Sequence, residues 1–96
     1  MMVLITYDVE TVSNFGKKRL RKVAKQCVNY GQRVQNSVFE CLVDPAQLAE
    51  LKHRLGNIID KEKDSIRYYY LGSNWRNKVE HIGVKEGYDP EGPLTI

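Results

Sequence analysis

Met2 to Tyr7 is a run of apolar and β-branched residues with no polar alternation. A strand covered on both faces, or paired at both edges, reads this way, so the run predicts a central first strand ending at Asp8. The polar stretch Glu10 to Asn14 then supplies turn residues, with Ser13 placed to cap a helix. In that helix Leu20, Val23, Ala24, Cys27 and Val28 recur at helical spacing, while Lys18, Arg21, Lys22 and Lys25 fall on the opposite face. Gly31 is the expected stop. Arg33 to Val43 is strand-like but long, and Gln35-Asn36-Ser37 interrupts it with turn formers. It therefore divides into a short second strand, a tight turn and a third strand, Val38 to Val43. Asp44-Pro45 opens a second helix with one apolar stripe, Leu48, Leu51, Leu55, Ile58 and Ile59. Asp60 to Asp64 is a charged loop, Ser65 to Leu71 a fourth strand closed by Gly72-Ser73-Asn74, and Lys78 to Ile82 a short fifth strand.

The order βαββαβ predicts an α+β, ferredoxin-like sandwich with both helices on one sheet face and a short extra C-terminal strand. A chain of 96 residues has room for one such core. We place the domain at residues 1–83 and a Gly- and Pro-rich tail at 84–96. Two helices leave one sheet face open, and Tyr68, Tyr70, Val3 and Ile5 cannot all be covered by them. Face-to-face homodimerisation is the expected remedy. Met2 to Ile5 is far shorter than the ~18 residues of a membrane span, which points to a cytoplasmic protein without membrane contact. Cys27 and Cys41 lack zinc-ligand spacing and are expected to be buried and reduced.

Charge changes this picture. The net charge is only +3, yet Thr11 to Phe39 holds Lys17, Lys18, Arg19, Arg21, Lys22, Lys25 and Arg33, and all twelve acids lie outside that stretch. So one-sided a distribution favours an anionic partner. Asp8, at the carboxyl end of a rigid strand directly before the basic helix, is the leading candidate for chemistry. A carboxylate flanked by Lys and Arg suits a hard cation and a phosphodiester. One carboxylate is a sparse cage for Mg²⁺, and a two-fold dimer with Asp8 near its axis would double the donors. Arg19 and Arg33 would then offset charge as the phosphodiester is attacked. His53, between Lys52 and Arg54, reads as a solvated helix residue, and His81 reads similarly. The triple tyrosine is read as core and interface before base stacking. No P-loop, GxGxxG or Ser/His/Asp order is present.

Tyr7-Asp8, the basic helix and above all Arg33-Val34-Gln35-Asn36-Ser37-Val38-Phe39-Glu40-Cys41 resemble the CRISPR-associated protein two family, small proteins of spacer acquisition. The likeness runs from the first strand to about Gly83. The ending Val79-Glu80-His81-Ile82-Gly83 with Tyr88-Asp89-Pro90-Glu91-Gly92-Pro93 resembles the type I-C branch. The resemblance implies a ferredoxin-like homodimer with Mg²⁺ between the two copies of Asp8, acting as an endonuclease on RNA or double-stranded DNA. It implies Tyr7 and Asp8 as the strand-end catalytic pair, with Asp8 the metal ligand. Arg19, Arg21, Arg33 and Phe39 follow as residues at the nucleic acid.

Two functional readings result. In the first the chain is a metal-dependent endonuclease of antiviral defence. In the second it is a non-catalytic DNA-binding scaffold that bridges dimers of the CRISPR integrase, gripping duplex DNA with Arg19, Lys22 and Lys25. A toxin-like RNase also fits size and fold, without a motif of its own.

Overall fold

The computed structural model describes residues 1–80 and 82. Its elements follow in the order β1 (Met2–Asp8), α1 (Asn14–Val28), β2 (Gly31–Gln35), β3 (Val38–Leu42), α2 (Pro45–Ile58) and β4 (Ser65–Gly72), then a single 3₁₀ turn over Trp75–Asn77. The four strands form one antiparallel sheet in the order β2-β3-β1-β4, so β1 is interior, as its unbroken apolar run requires.

Local chemistry sets the element ends. Ser13 caps α1, its hydroxyl accepting from the Gly16 amide. Asp44 caps α2 in a reciprocal box with Gln47, and Pro45 occupies the first turn where no amide partner is needed. Gly31 does not stop α1 as expected. The helix closes at Asn29, and Gly31 begins β2. Its lack of a side chain matters for pairing, because a Cβ there would run into the Glu40 carbonyl and Cys41 on the neighbouring strand. Gly72 has the positive φ of 76° that lets the chain turn out of β4.

Alternation along β1 divides the sheet. Val3, Ile5 and Tyr7 join Phe39, Cys41 and Val43 under α1 and α2, whose Val23, Cys27, Leu48, Leu51 and Leu55 complete the core. Ile58, Ile59, Ile66 and Tyr68 pack at its margin. The opposite face carries Leu4, Thr6 and Asp8 from β1, Val38, Glu40 and Leu42 from β3, and Arg67, Tyr69 and Leu71 from β4. This corrects the expected membership of the open face. Val3 and Ile5 are fully buried by the helices, and Tyr68 and Tyr70 lie on the helical side, where Lys52 of α2 sits 5.1 Å from each ring centre. The face turned away from the helices carries Met2, Leu4, Val38, Leu42, Tyr69 and Leu71, of which Met2 is fully buried, Leu4, Val38, Leu42 and Leu71 are half-buried and Tyr69 is exposed.

No strand is found at Lys78–Glu80; Lys78 instead closes the 3₁₀ turn, its amide donating to the Trp75 carbonyl. His81 and the tail 84–96 lie outside the described residues. Among the described residues no helix is long and apolar enough to cross a membrane.

Candidate functional site

Asp8 is the last residue of β1 and its carboxylate is exposed on the open sheet face. Its backbone is held from both sides. Before it, Tyr7 is buried, donates its amide to the Ser37 carbonyl at 3.0 Å and stacks on Phe39 at 6.1 Å between ring centres. Across the sheet, Asp8 pairs with Ser65, the first residue of β4. After it, Val9 is buried and the Glu10 amide donates to Asp64 Oδ1 at 3.0 Å. The exposed carboxylate thus projects from a strand end whose backbone is held on both sides.

The anchor behind that loop is a buried ion pair. The Asp64 side chain is 0% exposed and accepts from Arg19 Nε at 2.7 Å, Arg19 Nη2 at 3.3 Å, the Asp60 amide at 2.9 Å and the Glu10 amide. Burial alone would raise its pKa, but the Arg19 fork and the Asp60 and Glu10 amides outweigh burial and hold it below the usual carboxylate range. The Glu10 carboxylate turns the other way, accepting from the Ser13 amide at 2.7 Å and the Ser13 hydroxyl at 2.9 Å. Those bonds, the Ser13 amide first, lower its pKa as well. Gly16 lets the loop close on the helix, since any Cβ there would overlap the Glu10 carbonyl.

The expected site residues separate into three groups. Asp8 stands on the open face. Tyr7, Arg33 and Phe39 lie at the same end of the sheet but on its helical side. Phe39, expected at the nucleic acid, is 0% exposed in the chain, and its ring supports Arg33, whose guanidinium carbon sits 5.3 Å from the ring centre. Tyr7 does not share the carboxylate's face either. Burial raises the pKa of its phenol, which stays protonated and donates to the Asn36 carbonyl at 3.3 Å. Tyr7 therefore fixes the strand end and the β2–β3 turn.

Arg21, Lys22 and Lys25, with Lys17 and Lys18, are exposed on α1, which contains no acid. Because α1 packs on the sheet through Gly16, Val23 and Cys27, this basic face points away from the sheet. Arg19 alone turns inward to Asp64 and Glu10, its nearer groups 2.7 and 3.5 Å away. Its charge is matched by two carboxylates, unlike that of the other bases of α1 expected at nucleic acid. The sequence reading missed Asp64 and Glu10; one is hidden in a charged loop and the other in a turn, 54 residues apart.

The chemistry available for a metal is that of a hard oxygen donor. Among the described residues no group of three His, Cys, Asp or Glu is placed to hold an ion, so Asp8 has no ready-made set of partner ligands there. That fits Mg²⁺, which keeps several waters and takes one or two carboxylates, when a second copy contributes the same residue.

Known proteins resemble this chain over most or all of its length. The family model for the CRISPR associated protein Cas2 matches residues 1–79. The CRISPR-associated endoribonuclease Cas2 of Nitratidesulfovibrio vulgaris is 66% identical over 96 residues, covering 100% of this chain and 94% of that one. The CRISPR-associated endonuclease Cas2 of Halalkalibacterium halodurans is also 66% identical, with 100% of both chains covered. Among solved structures, Cas2 of Streptococcus pyogenes, crystallised at pH 6.5, superposes with a TM-score of 0.77 at 64% identity, covering 86% of this chain and 100% of that chain.

Proposed function

The chain belongs to the Cas2 family of CRISPR-associated proteins, and from that premise we propose that it is a nuclease of the CRISPR system, hydrolysing phosphodiester bonds at a centre built on Asp8. The observation that carries the reading is a single exposed carboxylate whose backbone is clamped on both sides by buried neighbours. A group that must meet a metal and a scissile phosphate benefits from such fixation, because small displacements cost large factors in rate.

In this reading two copies of the chain pack through their open sheet faces. Leu4, Val38, Leu42, Tyr69 and Leu71 are removed from water, and Asp8 meets the partner's Asp8. Two facing carboxylates repel, so a cation between them is favoured. When bound, Mg²⁺ would polarise the phosphodiester and acidify an attacking water. Asp8 supplies the oxygen donor and sets where the phosphate sits. Arg33, rigid on Phe39, offers positive charge at the same end of the sheet, and the lysines of α1 attract the sugar-phosphate backbone. Relatives carry names for both RNA and general nucleic-acid cleavage, and duplex DNA and RNA are both substrates to test.

The test is cleavage of matched duplex DNA and single-stranded RNA, with Mg²⁺ or EDTA, by the wild type and by Asp8→Asn. We expect the variant to fold and retain nucleic acid while losing cleavage by at least about 100-fold, the scale of removing a group that stabilises the transition state directly. Equal cleavage by the variant would refute the reading.

One observation favours a second role beside the first. The basic face of α1 points away from the open face that carries Asp8, so nucleic acid bound along the helix need not reach the acidic centre. This supports a scaffold function in spacer acquisition, in which the helix grips duplex DNA next to the CRISPR integrase. That role predicts metal-independent, steeply salt-dependent binding.

A further inference from the structure

Arg19 lies in a helix whose other bases face solvent, yet it points inward and spends both faces of its guanidinium on carboxylates. Asp64, its principal partner, has no solvent contact and four hydrogen-bond donors aimed at it. Such a carboxylate is costly to bury, and the fold gains from it a link between three segments distant in sequence: the loop leaving β1, helix α1 and the loop entering β4. Two of those segments flank the candidate catalytic carboxylate. Asp64 immediately precedes Ser65, the residue paired with Asp8, and it binds the amide of Glu10, two residues beyond Asp8. Glu10 passes the constraint on through Ser13 to the start of α1.

We infer that Asp64 and Arg19 form a positioning pair for Asp8, holding the strand end and its following loop in the geometry that cleavage requires. The inference rests on the reading of Asp8 as the catalytic carboxylate. Neither residue touches the substrate. Asp64 is the acceptor that fixes the Glu10 amide. Arg19 neutralises it, so that a second negative charge close to Asp8 does not compete for cations or repel phosphate. A fork is needed for this, because two nitrogens of one side chain contact both oxygens of Asp64; a lysine would supply the charge from a single point.

The pair is tested by kinetics and by amide hydrogen exchange on the full chain. Asp64→Asn and Arg19→Lys, each confirmed folded by its melting transition, are compared with the wild type, with Asp8→Asn and with Glu50→Gln, which breaks only an exposed pair with Arg54. Asp64→Asn is expected to lower kcat about 10- to 100-fold, the range seen when groups supporting a metal ligand are lost. KM and the salt dependence of nucleic-acid binding should not change. The Glu10 amide should exchange faster. Arg19→Lys should repeat this pattern more mildly, and the double variant should be no worse than Asp64→Asn alone, because the two residues act as one unit. Glu50→Gln should match the wild type in every readout.

Wild-type kcat and unchanged Glu10 exchange in Asp64→Asn, beside an inactive Asp8→Asn, would overturn the inference and leave the nuclease reading intact. Full cleavage by Asp8→Asn would instead remove that reading and the inference with it. If Asp64→Asn does not fold, Arg19→Lys decides. In a companion Arg19→Gln variant, which removes the charge, weaker binding with a salt slope reduced by about one and an unchanged kcat would make Arg19 a direct phosphate contact and overturn the pairing.

Discussion

Asp64 and Glu10 illustrate how acid groups carry the loop that follows Asp8. Both are held below their ordinary pKa, Asp64 by the Arg19 fork and two amides against the effect of burial, Glu10 chiefly by Ser13. A carboxyl whose folded pKa is depressed stabilises the fold above its unfolded value, about 4, and that contribution disappears as pH falls through the lower folded value. Thermal stability of the wild type should therefore fall between about pH 5 and pH 2, and Asp64→Asn should flatten that profile. Melting curves across the range check this, and parallel profiles for the two proteins would contradict it. The same residues mark a limit of sequence reading. The place of Asp8 at the end of β1 was legible because the apolar run stops at it and a polar turn and basic helix follow. Asp64 was not, since its burial depends on three chain segments meeting, which no local pattern encodes. Phe39 was legible as part of a family motif, while its burial was not: the ring lies in the core, and the Arg33 resting on it reaches outward.

Helix α1 shows what periodicity can and cannot tell. Its start and most of its apolar face followed from Ser13 and the spacing of Leu20, Val23 and Cys27, because cap chemistry and burial are local or nearly so, whereas Val28, expected on that face, is exposed. Arg19 looked like one more base of a cationic helix; its position beside the buried face, one residue before Leu20, was the available hint that it turns inward. The remaining bases form the outward face. Reversing two of them, Lys22→Glu with Lys25→Glu, should weaken nucleic-acid binding at low salt and lower the slope of log affinity against log salt by roughly two or more. The fold should be unaffected, since both side chains are exposed. Binding measured from low to moderate salt checks the prediction, and an unchanged slope would exclude this face as the contact. At β2, the expected helix stop at Gly31 failed for a tertiary reason: that glycine is demanded by the closeness of β3, not by a left-handed turn.

At the scale of the molecule, the βαββαβ order was readable because each segment carries one period and one set of turn residues. Which residues line the open face was not, since a run such as Met2 to Tyr7 is apolar or β-branched throughout, without alternation, and does not declare its orientation. The structure assigns that orientation, leaving Leu4, Leu42, Tyr69 and Asp8 together on the sheet face opposite the two helices. The central claim is that this face meets its copy and brings two Asp8 side chains to the seam. Placing a thiol at the seam tests it most directly, as the native thiols will not interfere: Cys27 and Cys41 are buried, and burial pushes both up to about 12. Asp8→Cys, treated with a short bis-maleimide at neutral pH and resolved by denaturing electrophoresis, should give a covalent dimer in high yield, while the wild type stays at the mass of one chain. Asp8→Cys remaining at the mass of one chain, under conditions where its new thiol is fully labelled by a monofunctional maleimide, would contradict the account.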